Sequence, residues 1–180
     1  MKGVVFTQFL DFVEEAHGLD LVDDIIDASG VESGGAYTAV GTYPTHELAA
    51  LVSAAARELG TTVPDLLHRF GHHLCKTFVA TYPQYFAVAD DLYDFLASVD
   101  GHIHIEVRKL YPDAELPTFK VHERRPDGIT LDYRSARCLE ALAAGLIEGA
   151  AEHYRQPVRV SQQVLGQGAE RIVRFEVASA

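Results

Sequence analysis

Apolar residues recur every three or four positions from the first turn of the chain. Val5, Phe9, Phe12 and Val13 share a helical face, and Gly18 can close that helix in a left-handed conformation. Leu19 to Ala28 predicts a second short helix, ended by Ser29-Gly30, and residues 31–44, rich in Gly, Ser and Thr, read as a loop. Thr45 is the expected N-cap of an Ala-rich helix that stops at Gly60. Thr62-x-x-Asp65, with Pro64 in the first turn, opens a helix to about Ala80, broken by Tyr82-Pro83. A further helix is expected from near Ala89 to about Leu110, with Leu92, Phe95, Leu96, Val99, Ile103, Val107 and Leu110 on one stripe. Gly101 sits inside it, and Pro112 forbids continuation.

After Pro117 the period changes. Thr118 to Glu123 and Ile129 to Tyr133 alternate as two strands around Arg125-Pro126-Asp127-Gly128, a turn sequence. Residues 138–154 return to helical spacing through Leu139, Leu142, Leu146 and Ile147. Val158 to Leu165 and Arg171 to Val177 then predict a hairpin around Gly166-Gln167-Gly168. The order predicts an α+β fold: a helical N-terminal part packed with a four-stranded antiparallel sheet, as one domain over 1–180.

Composition narrows the function classes. A chain of 180 residues with 48% hydrophobic and 23% charged residues can bury a real core. A net charge of −11 argues against nucleic acid or an anionic membrane as partner. Val4-Val5-Phe6 is too short for a signal-peptide core, and no stretch approaches the ~18 apolar residues of a membrane span, so a cytoplasmic location is expected. Cys75 and Cys138 form no framework and are expected as buried free thiols.

Three constellations carry candidate chemistry. On a helix His102 and His104 lie about 200° apart, so they do not form a metal pair there; on a strand they would. His104 flanks the apolar stripe near Val107 and Tyr111, where a neutral imidazole is either a haem-iron ligand or a satisfied core histidine. His68 and His72 stand four apart, with His73 beside them, but no H-E-x-x-H pattern follows, and a polar helix face is the simpler reading. Tyr133, Ser135 and Arg137 project to one side if their segment is extended. Such a donor row suits carboxylates; an exposed polar edge is the alternative.

Taken jointly, these residues resemble the H-NOX family, the haem domains that sense nitric oxide or oxygen. The start Met1-Lys2-Gly3-Val4-Val5-Phe6 is similar to the family's opening. The segment from Ile103 to Pro112 resembles the one carrying the proximal histidine, which His104 matches seven residues before Tyr111-Pro112. Tyr133-x-Ser135-x-Arg137 resembles the triplet that binds the haem propionates. The likeness covers essentially the whole chain and is to the stand-alone bacterial type, itself similar to the haem domain of soluble guanylate cyclase. It implies haem b (iron protoporphyrin IX) buried between the helical part and the sheet, with His104 as axial ligand to the iron. Pro117 matches the proline that presses on the porphyrin, and Val5, Phe9, Leu74, Phe78, Leu142 and Leu146 fall where the family lines the distal pocket.

The resemblance also bears on the gas. Oxygen-binding members place a tyrosine five residues after the arginine of the triplet, where this chain has Leu142, and a supporting asparagine where it has Leu74. One hydrogen bond to bound oxygen is worth about 1.5–3 kcal/mol, up to about a hundredfold in affinity. Without that donor the expected ligand is nitric oxide, with carbon monoxide a further diatomic. The implied mechanism is release of His104, haem relaxation against Pro117, and a helix shift read by a signalling protein such as a histidine kinase or a cyclic-di-GMP enzyme. No enzymatic activity and no four-cysteine zinc site are expected. An oxygen or redox sensor on the same scaffold, or a haem enzyme, is the alternative.

Overall fold

The computed structural model describes residues 1–166 and 171–180. They fall into two compact units, Met1–Phe70 and Gly71–Ala180.

The first unit is helical, with α1 Gly3–His17, α2 Leu19–Ser29, α3 Thr45–Glu58 and the opening residues of α4 Val63–Thr81. The buried face of α1 is Gly3, Phe6, Phe9 and Val13, while Val5 and Phe12 are half-buried. Gly18 takes φ 89° and ψ 168°, positive but not left-handed helical as expected. The reason is that α2 starts at the next residue, so Gly18 must redirect the chain and not merely finish a helix. Pro44, not Thr45, is the N-cap of α3, and Thr45 is its first helical residue. Thr62 does cap α4, accepting from the Asp65 N–H at 3.2 Å and donating to Asp65 Oδ2 at 2.7 Å.

The loop between α2 and α3 is fastened to the helices around it. Tyr37 stacks on Phe6 with ring centroids 4.5 Å apart. The Gly3 N–H donates to the Gly41 carbonyl at 2.8 Å, and a Cβ on Gly3 would lie 1.9 Å from the Thr38 carbonyl oxygen, so only glycine fits. Ser33 and Tyr37 hydroxyls donate to one oxygen of Glu47 at 2.6 and 2.7 Å. Glu47 is buried, and the Ser33 hydrogen bond above all holds its carboxyl below the ordinary glutamate value. A carboxyl depressed on folding stabilises the fold above its unfolded pKa and loses that contribution as pH falls through the folded one. Glu47→Gln is therefore expected to lower stability at neutral pH by about 1–3 kcal/mol. It should also flatten the acid limb of the stability profile, read by denaturant melts between pH 3 and 7; an unchanged limb would exclude this role.

The second unit holds the rest of α4, then α5 Pro83–Phe86, α6 Leu92–Ser98, a π-helical turn Val99–Ile103 and α7 His104–Leu110. After these come β1 Thr118–Arg125, β2 Gly128–Arg134, α8 Glu140–His153, β3 Val158–Leu165 and β4 Ile172–Ser179. The strands form one antiparallel sheet in the order β1-β2-β4-β3. The fold is α+β, with a four-stranded antiparallel sheet. In the expected hairpin turn, Gln167 and Gly168 lie outside the described residues.

One sheet face carries Ile129, Leu131 and Tyr133, paired with Val177, Phe175 and Val173, all buried. They pack with Leu92, Phe95 and Leu96 of α6 and Ala143, Ile147 and Ala150 of α8 in one core. The opposite face is ionic: Arg174 grips Asp132 through Nε and Nη2 at 2.7 and 3.0 Å. α4 and α8 come close where glycines permit it. A Cβ on Gly71 would lie 2.2 Å from the Leu142 carbonyl oxygen, and one on Gly149 would lie 2.5 Å from the Cys75 Cβ.

The long helix expected from Ala89 to Leu110 runs without a gap from Leu92 to Leu110 but passes through the π turn, and only Leu92, Phe95 and Leu96 of its predicted stripe are buried. The π turn inserts a residue into the helical register, so positions after Ile103 are rotated relative to those before Ser98. Leu110 accordingly turns outward, 63% exposed, while His104 turns inward at 9%.

Candidate functional site

The π turn also places a partner for His104. Asp100, four residues earlier and inside that turn, puts Oδ1 3.1 Å from His104 Nδ1. An ionised carboxylate only accepts, so Nδ1 carries the proton of that bond. Burial is the main force lowering the pKa of His104 and so favours the neutral ring, while Asp100 partly opposes it. A neutral ring protonated at Nδ1 leaves the Nε2 lone pair available to an electrophile, as metal-ligating histidines are commonly arranged. His102 is exposed and contributes nothing to this pair.

The two sequence motifs meet through a residue that the spacing did not single out. Phe119 of β1 lies 6.1 Å from the His104 ring and 5.1 Å from the Tyr133 ring, between centroids. It stands opposite Tyr133 in the β1–β2 register. Tyr133 in turn meets Phe175 edge-on at 5.9 Å. An imidazole, a buried aromatic row and a phenol thus run along one side of the sheet.

The Tyr133-Ser135-Arg137 row differs from an extended one. β2 ends at Arg134, and the Ser135 hydroxyl accepts from the Arg137 N–H at 3.1 Å, which bends the segment into a turn. The Tyr133 phenol is buried and hydrogen-bonded to Ser135, and burial raises its pKa. The Arg137 side chain, 13% exposed, donates from Nη2 to Glu115 Oε2 at 2.8 Å and from Nη1 to the Glu115 carbonyl. Glu115 is itself 85% exposed. A well-buried guanidinium is therefore already aimed at a carboxylate, supplied here by a surface side chain two residues before the half-buried Pro117.

Of the expected distal residues in this unit, Leu74 and Leu142 are buried, while Phe78 and Leu146 are half-buried and pack on the core. They lie on α4 and α8, the helices that approach at Gly71 and Gly149. In the first unit Phe9 is fully buried against Phe70, ring centroids 5.2 Å apart, and Val5 is half-buried.

The remaining candidates read as structure. His72 Nε2 meets Glu152 Oε2 at 2.8 Å, and Lys76 reaches the same oxygen at 3.4 Å, a polar helix-to-helix contact. Among the described residues no group of three or more His, Cys, Asp or Glu is placed to hold a metal ion. Cys75 is buried and its thiol pushed up to about 12, mainly by that burial. Cys138 corrects the expectation of a buried thiol: it is exposed, with φ 50°, where the chain turns between the triplet and α8. Among the described residues no helix is long and apolar enough to cross a membrane.

Sequence reasoning missed Asp100, Phe119 and Glu115. The i, i+4 spacing of Asp100 and His104 was open to view, but it joins them only because the turn between is tightly defined. Asp100→Ala is expected to speed loss of any metal group that His104 would hold by roughly ten- to a hundredfold, read by transfer to an acceptor protein. An unchanged rate would show that Asp100 does not orient the imidazole.

Comparison with known proteins places this geometry. The model of a family described as Haem-NO-binding matches residues 2–162. Among solved structures, the ferrous unliganded H-NOX protein of K. algicida is 37% identical, with TM-score 0.93 over 100% of this chain and 97% of that one. An S. oneidensis H-NOX protein in the Fe(II)NO state shares the fold at 24% identity, TM-score 0.91, covering 100% and 99%. None of the curated proteins compared matches the chain.

Proposed function

The chain belongs to the haem-NO-binding (H-NOX) family, a family of haem-based gas sensors, and from that premise we propose that it binds nitric oxide at haem b and signals by letting go of His104. The observation that carries this reading is the buried His104, tied through Nδ1 to Asp100 and adjoining the aromatic row that ends at the Tyr133 phenol.

The residues present fit the cofactor. His104 offers one nitrogen ligand from a buried, neutral ring, as haem iron requires. Arg137 already holds a carboxylate, and the Tyr133 and Ser135 hydroxyls adjoin it, as propionates require. Haem supplies a ferrous iron on which a diatomic gas can bind. Pro117, two residues after the Arg137-bound Glu115, is the residue proposed to press on the macrocycle. Leu74, Phe78, Leu142 and Leu146 offer no hydrogen-bond donor and are proposed to line the distal side. That lining favours nitric oxide, and admits carbon monoxide, over oxygen.

His104 is also the switch. It is the first residue of α7, directly after the π turn. Were His104 released, α7 would be held to what precedes it through that turn and the Asp100 bond, so it is the element proposed to move. A signalling protein, of the histidine kinase or cyclic-di-GMP class, is proposed to read the shift. Absorbance spectra of the reduced protein in air and under nitric oxide test the gas assignment. A haem band that changes with nitric oxide and forms no lasting complex with oxygen is expected. A stable oxygen complex would overturn the selectivity, and a colourless protein the whole reading.

A further inference from the structure

Beside the triplet lies an ion pair that the family resemblance does not account for. Arg171 Nη2 donates to Glu140 Oε1, yet Arg171 Nε and Glu140 Oε2 are buried and have no protein partner among the described residues. The neighbouring Arg174–Asp132 pair shows what a self-sufficient bridge looks like on this sheet, with Nε and Nη2 each taking one carboxylate oxygen. A buried N–H left without an acceptor is costly, so such a donor marks a place where another group completes the set.

The register says where. β2 and β4 pair Asp132 with Arg174 and Tyr133 with Val173. Arg171 directly precedes β4, two residues before Val173, so it stands at the end of the sheet where β2 gives way to the turn of the triplet. Glu140 opens α8, the helix that follows the triplet. Its carboxylate adds to the rise in the Tyr133 pKa that burial chiefly causes.

We propose that Arg171, held by Glu140, is a second cationic positioning residue of the carboxylate site, donating its Nε–H to a porphyrin propionate while Arg137 serves the other. The inference rests on the haem reading above and extends it. A dicarboxylate needs two donors set apart. Arg137 is one, carrying a replaceable Glu115, and Arg171 is the other, with Glu140 fixing its guanidinium.

The test compares iron protoporphyrin IX with its dimethyl ester, in which both carboxylates are capped, each reconstituted into the same protein. Loss of porphyrin is followed by transfer to excess apomyoglobin. Arg171→Gln and Glu140→Gln are expected to speed loss of the diacid on the order of tenfold and leave loss of the diester unchanged. Arg171→Lys, which keeps the charge without the Nε–H, should fall between. Equal acceleration of diacid and diester, or acceleration of neither, would overturn the role of Arg171 while leaving the haem reading intact. Failure of the unsubstituted protein to take up either porphyrin would remove both.

Discussion

Replacing His104 by glycine is expected to abolish the nitrogen ligand to iron, and millimolar imidazole should restore it. The cavity left is that of a ring 9% exposed, beside Phe119 and within reach of Asp100, so added imidazole finds both an apolar wall and an acceptor for its N–H. The ferrous absorbance band should shift on substitution and return with imidazole. His102→Gly is the internal control, since its side chain is exposed and outside the Asp100 pair, and it should leave the band in place. If both substitutions, or neither, moved the band, His104 would not be the ligand.

A gain of function is expected at Leu142. The position is buried, on the face of α8 near the α4 crossing, and carries no donor. Leu142→Tyr places a hydroxyl there, and a single hydrogen bond to oxygen bound on ferrous iron is worth about 1.5–3 kcal/mol, roughly ten- to a hundredfold in affinity. Oxygen titration of the reduced variant should show a complex the unsubstituted protein lacks, while nitric oxide binding changes little. Oxygen binding as weak as before would mean that Leu142 does not face the gas.

Most of the fold was legible because its elements announce themselves chemically. Thr62-x-x-Asp65 capped α4 as read, and Pro126-Asp127-Gly128 turned β1 into β2. The failures share a cause. Gly18, Thr45 and the helix over residues 89–110 were judged by local spacing, but neighbours decided their conformation. An α-helical period cannot register an inserted π residue, and that insertion rotates His104 inward and Leu110 outward. His104, Tyr133, Ser135 and Arg137 were legible as candidates because their spacing is a motif. Phe119 and Glu115 were not, since they reach those residues through cross-strand register and loop geometry. Cys138 looked like an ordinary buried thiol until the turn after Arg137 put it outside.

The central claim is that His104 holds the iron in the resting state and releases it when nitric oxide arrives. Resonance Raman of the ferrous protein tests this most directly through the iron–histidine stretch. The band should be present in the reduced protein, weaken in Asp100→Ala, be absent from His104→Gly, and vanish on addition of nitric oxide. Its persistence in the fully nitric-oxide-bound protein would contradict the account.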